Sequence, residues 1–123
     1  MDIYNEIQQK NEELRNAVAS LSQTGRNYAE AYKKYRILLA QELIRLKNDG
    51  MPVTIAYDIA RGNEDVANAK FGELSTEAIY RANLENIQAI KLQIKILQNQ
   101  YDKEWGMAGG MYGWKQKNYL SVL

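Results

Sequence analysis

An aromatic and basic run at residues 32–36 has the residue types best suited to binding chemistry in this sequence. It interleaves tyrosines with lysines and arginine, a composition that stacks bases and neutralises phosphates. The run lies in residues 26–49, where six basic residues outnumber three acidic ones. Helical spacing also allows a structural interpretation, in which Tyr28, Tyr32 and Tyr35 belong to a core stripe and the lysines are solvated. The candidate ligand contacts in this run are Tyr32, Lys33, Lys34 and Arg36.

The turns around the single proline, Pro52, are a second candidate for anion binding. A helix that starts there presents free backbone N–H groups, and Thr54 adds a hydroxyl. Another helix start is expected at Asn63, next to Arg61, although two acids directly after Asn63 already supply negative charge. Plain helix capping is therefore the alternative interpretation. A guanidinium can bind a phosphate through two parallel hydrogen bonds, whereas an ammonium acts as a point charge, so Arg36 and Arg61 are the preferred contacts. Thr54 completes the candidate set.

Catalytic and metal-binding residue types are scarce. The chain has no histidine and no cysteine, which removes the commonest general base, thiol catalysis and cysteine metal sites. Glu73 and Glu77 stand four residues apart and could hold a divalent cation, but no second carboxylate pair completes such a site, so a solvated face is expected. The sequence also lacks a glycine-rich phosphate-binding loop followed by Lys-Ser/Thr. The sequence therefore predicts a protein that is not an enzyme and has no cofactor or metal.

Bulk composition narrows the class of protein. The 123 residues are 46% apolar and 25% charged, which is typical of one globular domain. A net charge of +1 gives no global attraction to nucleic acid or to a membrane. The polar N-terminus is unlike a signal peptide, and no apolar run approaches about 18 residues. We expect a cytoplasmic protein without membrane association.

The stretch from Leu74 to Trp105 contains neither glycine nor proline and predicts one long helix. One apolar stripe at helical spacing contains Ile87, Ile90, Ile94, Leu97 and Tyr101. A weaker line on the opposite side contains Ala78, Ala89, Leu92 and Ile96. A helix that is apolar on two sides usually has neighbours on both, so a homo-oligomer is expected, most simply a two-fold dimer. The candidate oligomer interface is Ala89, Leu92 and Ile96.

The remaining elements complete an all-α fold, an antiparallel hairpin of the second and last helices with two further helices alongside. Residues 2–22 and 26–48 are expected as helices separated at Gly25, with one bent, continuous helix as the alternative. A stop at residues 48–50 precedes a short helix at 52–60, for which an extended segment is the alternative. The last helix is expected from Asn63, with a possible kink at residues 71–73. Four glycines within residues 106–113 are expected to end it, leaving a domain at 1–105 and a flexible or docking tail at 106–123.

Several turns and stripes together resemble small helical proteins encoded by phages and prophages of Gram-positive bacteria. The matching segments, spread over roughly residues 5–106, are Gly25-x-x-x-Ala29, 35–39, 48–54, 60–67, 90–94 and 101–106. The tail after Gly106 departs from that pattern. The resemblance implies a place among early phage genes, near recombination and single-strand-binding functions. It carries over no active-site residue.

These observations lead to three functional hypotheses. The preferred one is a phage-encoded, non-enzymatic helical oligomer that binds stoichiometrically in the infected cell. It would counter host defence by blocking an immune protein or by sequestering a small anionic nucleotide signal. The second is an accessory of phage recombination or replication that binds single-stranded DNA or its binding proteins, which a near-neutral chain disfavours. The third is a structural assembly protein.

Overall fold

The protein is all-α, as the sequence predicts. The structure is a computed structural model, and it describes residues 2–109. Within that range the elements are α1 (Ile3–Asn48), α2 (Val53–Arg61) and α3 (Glu64–Gly109), and the described residues contain no strand. Helix accounts for 93% of them, and α3 packs on α1. None of the described helices is both long enough and apolar enough to cross a membrane.

Helix α1 is continuous through Gly25, so the preferred prediction of two separate helices is wrong and the continuous alternative is confirmed. A single glycine inside a helix costs only about 1 kcal/mol, which tertiary packing readily offsets. The glycine serves a packing purpose. A Cβ at this position would lie 3.3 Å from Cε1 of Tyr80, so the absence of a side chain lets the Tyr80 ring approach α1.

The end of α1 follows the predicted stop. Gly50 has a φ of 88°, a conformation that glycine adopts without strain. The Gly50 N–H donates to the carbonyl of Lys47, and the Met51 N–H donates to the carbonyl of Leu46. These two bonds form a Schellman motif, which satisfies carbonyls that the helix end leaves free. Met51 then packs against the apolar cluster that contains Leu46.

The starts of α2 and α3 also follow the predicted signals. Pro52 adopts an extended conformation as the N-cap of α2, so the short segment is a helix and not a strand. The Asn63 side chain accepts hydrogen bonds from the backbone N–H groups of Asp65 (3.0 Å) and Val66 (3.2 Å). Asparagine satisfies two otherwise free donors in this way, and it thereby sets where α3 begins.

Helix α3 runs uninterrupted through residues 71–73 and continues past Gly106 to Gly109. The prediction that the glycines end the helix at residue 106 is therefore wrong. Each glycine weakens a helix by about 1 kcal/mol, and this cost does not forbid helical backbone. The rest of the predicted tail, residues 110–123, lies outside the described residues.

The chain packs into two units, each containing parts of α1 and α3. The first unit comprises the residues before Leu21 and after Asn83. Its buried apolar residues are Ile7, Ala17, Ile87, Ile90 and Ile94. The second unit, Leu21–Asn83, adds α2 to the two long helices. Its apolar cluster comprises Leu39, Leu46, Ala56, Ala60 and Val66. Burying a leucine, isoleucine or valine side chain contributes about 1.5–3 kcal/mol, so each unit has its own source of stability.

Candidate anion-binding pocket

A pocket in the second unit brings together one residue from each helix. Tyr35 of α1, Arg61 of α2 and Lys70 of α3 line it, and its volume is about 280 Å³. We call it the Tyr35 pocket. The lining presents two cations and a phenol, which are hydrogen-bond donors suited to an anion.

Tyr35 connects the pocket to the apolar cluster of the second unit. Its side chain is partly buried and packs against that cluster. The Lys70 Nζ lies 4.7 Å from the centroid of the Tyr35 ring. An ammonium at this distance is attracted to the negative face of the ring. The aromatic ring therefore helps to hold the lysine at the pocket.

Lys70 is oriented by a second contact within its own helix. Its Nζ donates to Oε2 of Glu73 at 3.0 Å, and the Glu73 side chain is buried. This hydrogen bond raises the pKa of Lys70, and the charge of Glu73 raises it further, while partial burial lowers it. Lys70 is therefore charged at neutral pH. Because the Glu73 carboxylate offsets the positive charge of Lys70, Lys70 alone would attract an anion less strongly than a lysine without an acidic partner.

Arg61 supplies the second cation of the pocket lining. It is the last residue of α2, where the helix dipole favours positive charge. Its guanidinium carbon lies 4.9 Å from the centroid of the Tyr57 ring. Within the described residues, Arg61 forms no salt bridge. Because no acidic residue in the described part of the chain pairs with it, the stacked guanidinium can use its planar fork to bind a phosphate or carboxylate.

Glu73 and Glu77 of α3 do not form the solvated face that the sequence predicts. Glu73 is only 7% exposed and pairs with Lys70. Glu77 accepts a 2.8 Å hydrogen bond from the Tyr28 hydroxyl. That bond is the largest cause of a raised pKa of Tyr28, which also stacks on Tyr80 with ring centroids 6.1 Å apart. Each carboxylate is thus occupied by a protein donor, and no group of three or more metal-ligating side chains occurs among the described residues.

The run at residues 32–36 lies on α1 outside the pocket lining, except for Tyr35. Tyr32, Lys33, Lys34 and Arg36 are all exposed. The Arg36 guanidinium carbon lies 5.9 Å from the centroid of the Tyr32 ring, and its Nη1 lies 3.5 Å from the Tyr32 hydroxyl. The structure therefore brings Tyr32 and Arg36 together as a stacked pair on the surface.

Of the two candidates near the turns, Arg61 lines the pocket and Thr54 does not. Thr54 is exposed in the first turn of α2, at the opposite end of that helix from Arg61. The predicted interface residues Ala89, Leu92 and Ile96 are also exposed, with Leu92 at 59% and Ile96 at 51%. They belong to the first unit, whereas the pocket belongs to the second.

Two pocket residues were not among the predicted ligand contacts. Tyr35 was assigned to the core stripe, and its packing does place part of its ring there. The only sequence signal at Lys70 is Glu73, three residues later. That spacing predicts an ion pair along one helix and does not predict a pocket. Their meeting depends on the antiparallel register of α1 and α3, which no local pattern contains.

Comparison with known proteins yields no relative. The chain matches none of the family models, curated proteins or solved structures against which it was compared.

Proposed function

We propose that this protein is a stoichiometric binding protein that holds a small anionic molecule at the Tyr35 pocket. The supporting observation is the convergence of Arg61, Lys70 and Tyr35 from three helices on one open volume of about 280 Å³. Two cations and a phenolic O–H can together donate several hydrogen bonds to one oxyanion. A chain without histidine and cysteine lacks the commonest groups for converting such a ligand chemically.

A phosphate-bearing molecule is the ligand class that best fits these donors. Arg61 offers the bidentate fork, Lys70 offers a point charge, and the rings of Tyr35 and Tyr57 lie beside those cations. The volume lies just below the usual range for ligand sites, about 300–1,000 Å³, so it accommodates a phosphate group with a small attached moiety. A net charge of +1 makes recognition depend on these local contacts and not on long-range attraction.

The biological role that fits this binding is sequestration. A small phage protein that holds a nucleotide stoichiometrically would lower the free concentration of a host defence signal in the infected cell. This setting comes from the resemblance to phage-encoded helical proteins, and the pocket supplies a physical means for it. Blocking a host immune protein by surface contact requires no such pocket and is the less favoured form of the same role.

Calorimetric titration of the full chain with ADP, pyrophosphate and inorganic phosphate tests the proposal. Arg61→Gln should weaken binding by tenfold or more, because a charged hydrogen bond contributes about 1.5–3 kcal/mol. The matched control is Lys33→Gln, which removes the same charge from the exposed face of α1 in the same unit. Equal loss of affinity in both variants, or no binding by the wild-type chain, would contradict a specific pocket.

The stacked Tyr32–Arg36 pair favours a second candidate function, binding of single-stranded DNA. An exposed ring under a guanidinium is a surface on which a base can stack, and the exposed Lys33 and Lys34 follow the ring directly in sequence. Combined charge reversal of Lys33, Lys34 and Arg36 should then abolish oligonucleotide binding, as measured by fluorescence anisotropy. The same triple variant should leave nucleotide binding at the Tyr35 pocket intact, which separates the two functions.

A further inference from the structure

The outer face of α3 in the first unit has a pattern that the described residues of the chain leave exposed. Its residues recur at alternating intervals of four and three, the spacing of a coiled-coil seam. All of them are exposed, and they lie on the opposite side of the helix from buried Ile87, Ile90 and Ile94. We call this set the α3 seam: Glu85, Ala89, Leu92, Ile96, Asn99 and Lys103.

The two ends of the α3 seam carry opposite charges. An acid stands at the N-terminal end, a base at the C-terminal end, and the two large apolar residues lie between them. Leu92 and Ile96 are more than half exposed. Neither Glu85 nor Lys103 forms a salt bridge within the part of the chain that the structure describes. Within the described residues, both charges and both apolar side chains therefore have no partner.

We propose that the α3 seam binds the α3 seam of a second copy of this chain in antiparallel orientation. A two-fold axis level with Ile94 places Leu92 opposite the partner subunit's Ile96. In the same register Ala89 lies opposite the partner subunit's Asn99, and Glu85 lies opposite the partner subunit's Lys103. One register thus pairs the apolar residues at the centre and opposite charges at both ends. Because the contact is two-fold symmetric, each pair occurs twice in the dimer.

Charge decides the orientation. In a parallel dimer each residue faces its own copy, so Glu85 would face glutamate and Lys103 would face lysine, which is unfavourable. The antiparallel register converts both into attractive pairs. The second copy is therefore the occupant that this surface fits, and the contact is independent of the Tyr35 pocket.

Sedimentation equilibrium of the full chain tests both the contact and its orientation. The wild type should dimerise, and Glu85→Lys alone should weaken the dimer by about tenfold, because two attractive pairs become two repulsive ones. Lys103→Glu alone should do the same. An equimolar mixture of the two variants should recover the wild-type affinity. In that heterodimer one chain has lysine and the other glutamate at both positions, so each antiparallel pair again joins opposite charges.

Control variants lie on the same helix but off the α3 seam. Lys91→Glu and Glu104→Lys change exposed charges of the same kinds and should leave the dimer affinity within about twofold of wild type, as expected for exposed charges outside a contact. Circular dichroism confirms that each variant keeps its helix content. The proposal is overturned by a monomeric wild type, by single variants that dimerise as well as the wild type, or by a mixture that gains no affinity over its components.

Discussion

At the scale of single residues, Gly25 and Gly72 both lie inside a long helix, but a side chain at each position would meet different surroundings. A Cβ at Gly72 would meet nothing within 4 Å, whereas a Cβ at Gly25 would meet the Tyr80 ring at 3.3 Å. Gly72→Ala should therefore stabilise the protein by about 0.8–1 kcal/mol, the difference in helix propensity. Gly25→Ala should gain less or lose stability, because Tyr80 must move. Urea unfolding of both variants measures the difference in stability. Equal stabilisation would show that the Tyr80 ring can move away without an energetic cost.

The hydrogen bond from Tyr28 to Glu77 gives a residue-scale prediction for pH. It raises the pKa of Tyr28 above its usual value of 10.0, so folding favours the protonated phenol. The resulting stability is fully present below pH 10 and is lost as pH rises through the higher folded-state pKa. Tyr28→Phe should lower stability at neutral pH and make it less sensitive to pH in the alkaline range. Tyr32→Phe, at an exposed ring, is the control. An unchanged alkaline profile in Tyr28→Phe would contradict this role.

At the scale of elements, helix ends are predictable where the chemistry is local. The turn at Gly50 and the cap at Asn63 each need only neighbouring residues, and both form as expected. Gly25 was misjudged because the residue that explains it, Tyr80, is remote in sequence and reaches it only after α1 and α3 pack. The inward orientation of Glu73 has the same origin. Its partner Lys70 is local, but the burial of Glu73 depends on packing between helices.

The α3 seam also makes an element-scale prediction. Leu92→Glu with Ile96→Glu should convert the dimer into a monomer of unchanged helix content, because both side chains are exposed in the single chain. Each such side chain contributes about 1.5–3 kcal/mol when fully buried, so their replacement removes the apolar centre of the contact. Sedimentation and circular dichroism on one sample measure both properties. Loss of helix in the double variant would instead assign these residues to the core of the monomer.

At the scale of the whole molecule, two units contain two different kinds of surface. The second unit has the Tyr35 pocket, and the first has the α3 seam. The sequence predicts the all-α class, which the structure confirms. It also predicts a second apolar line on α3, which is exposed, and Arg61 as a candidate ligand contact, which lines the pocket. It did not predict the pocket itself, because residues 35, 61 and 70 meet only when three helices assemble. With a net charge of +1, the chain depends on such assembled sites for any selective binding of anions.

An NMR titration of the ¹⁵N-labelled chain with pyrophosphate tests the anion site most directly, because it locates binding as well as detecting it. We expect saturable shifts centred on the backbone amide signals of Tyr35, Arg61 and Lys70 and on the Nε–H signal of Arg61, and their loss in Arg61→Gln. Signals of Lys33 and Lys34, on the exposed face of α1, should move little. Shifts centred on those two lysines, or no saturable shift at any signal, would contradict an anion site at the Tyr35 pocket.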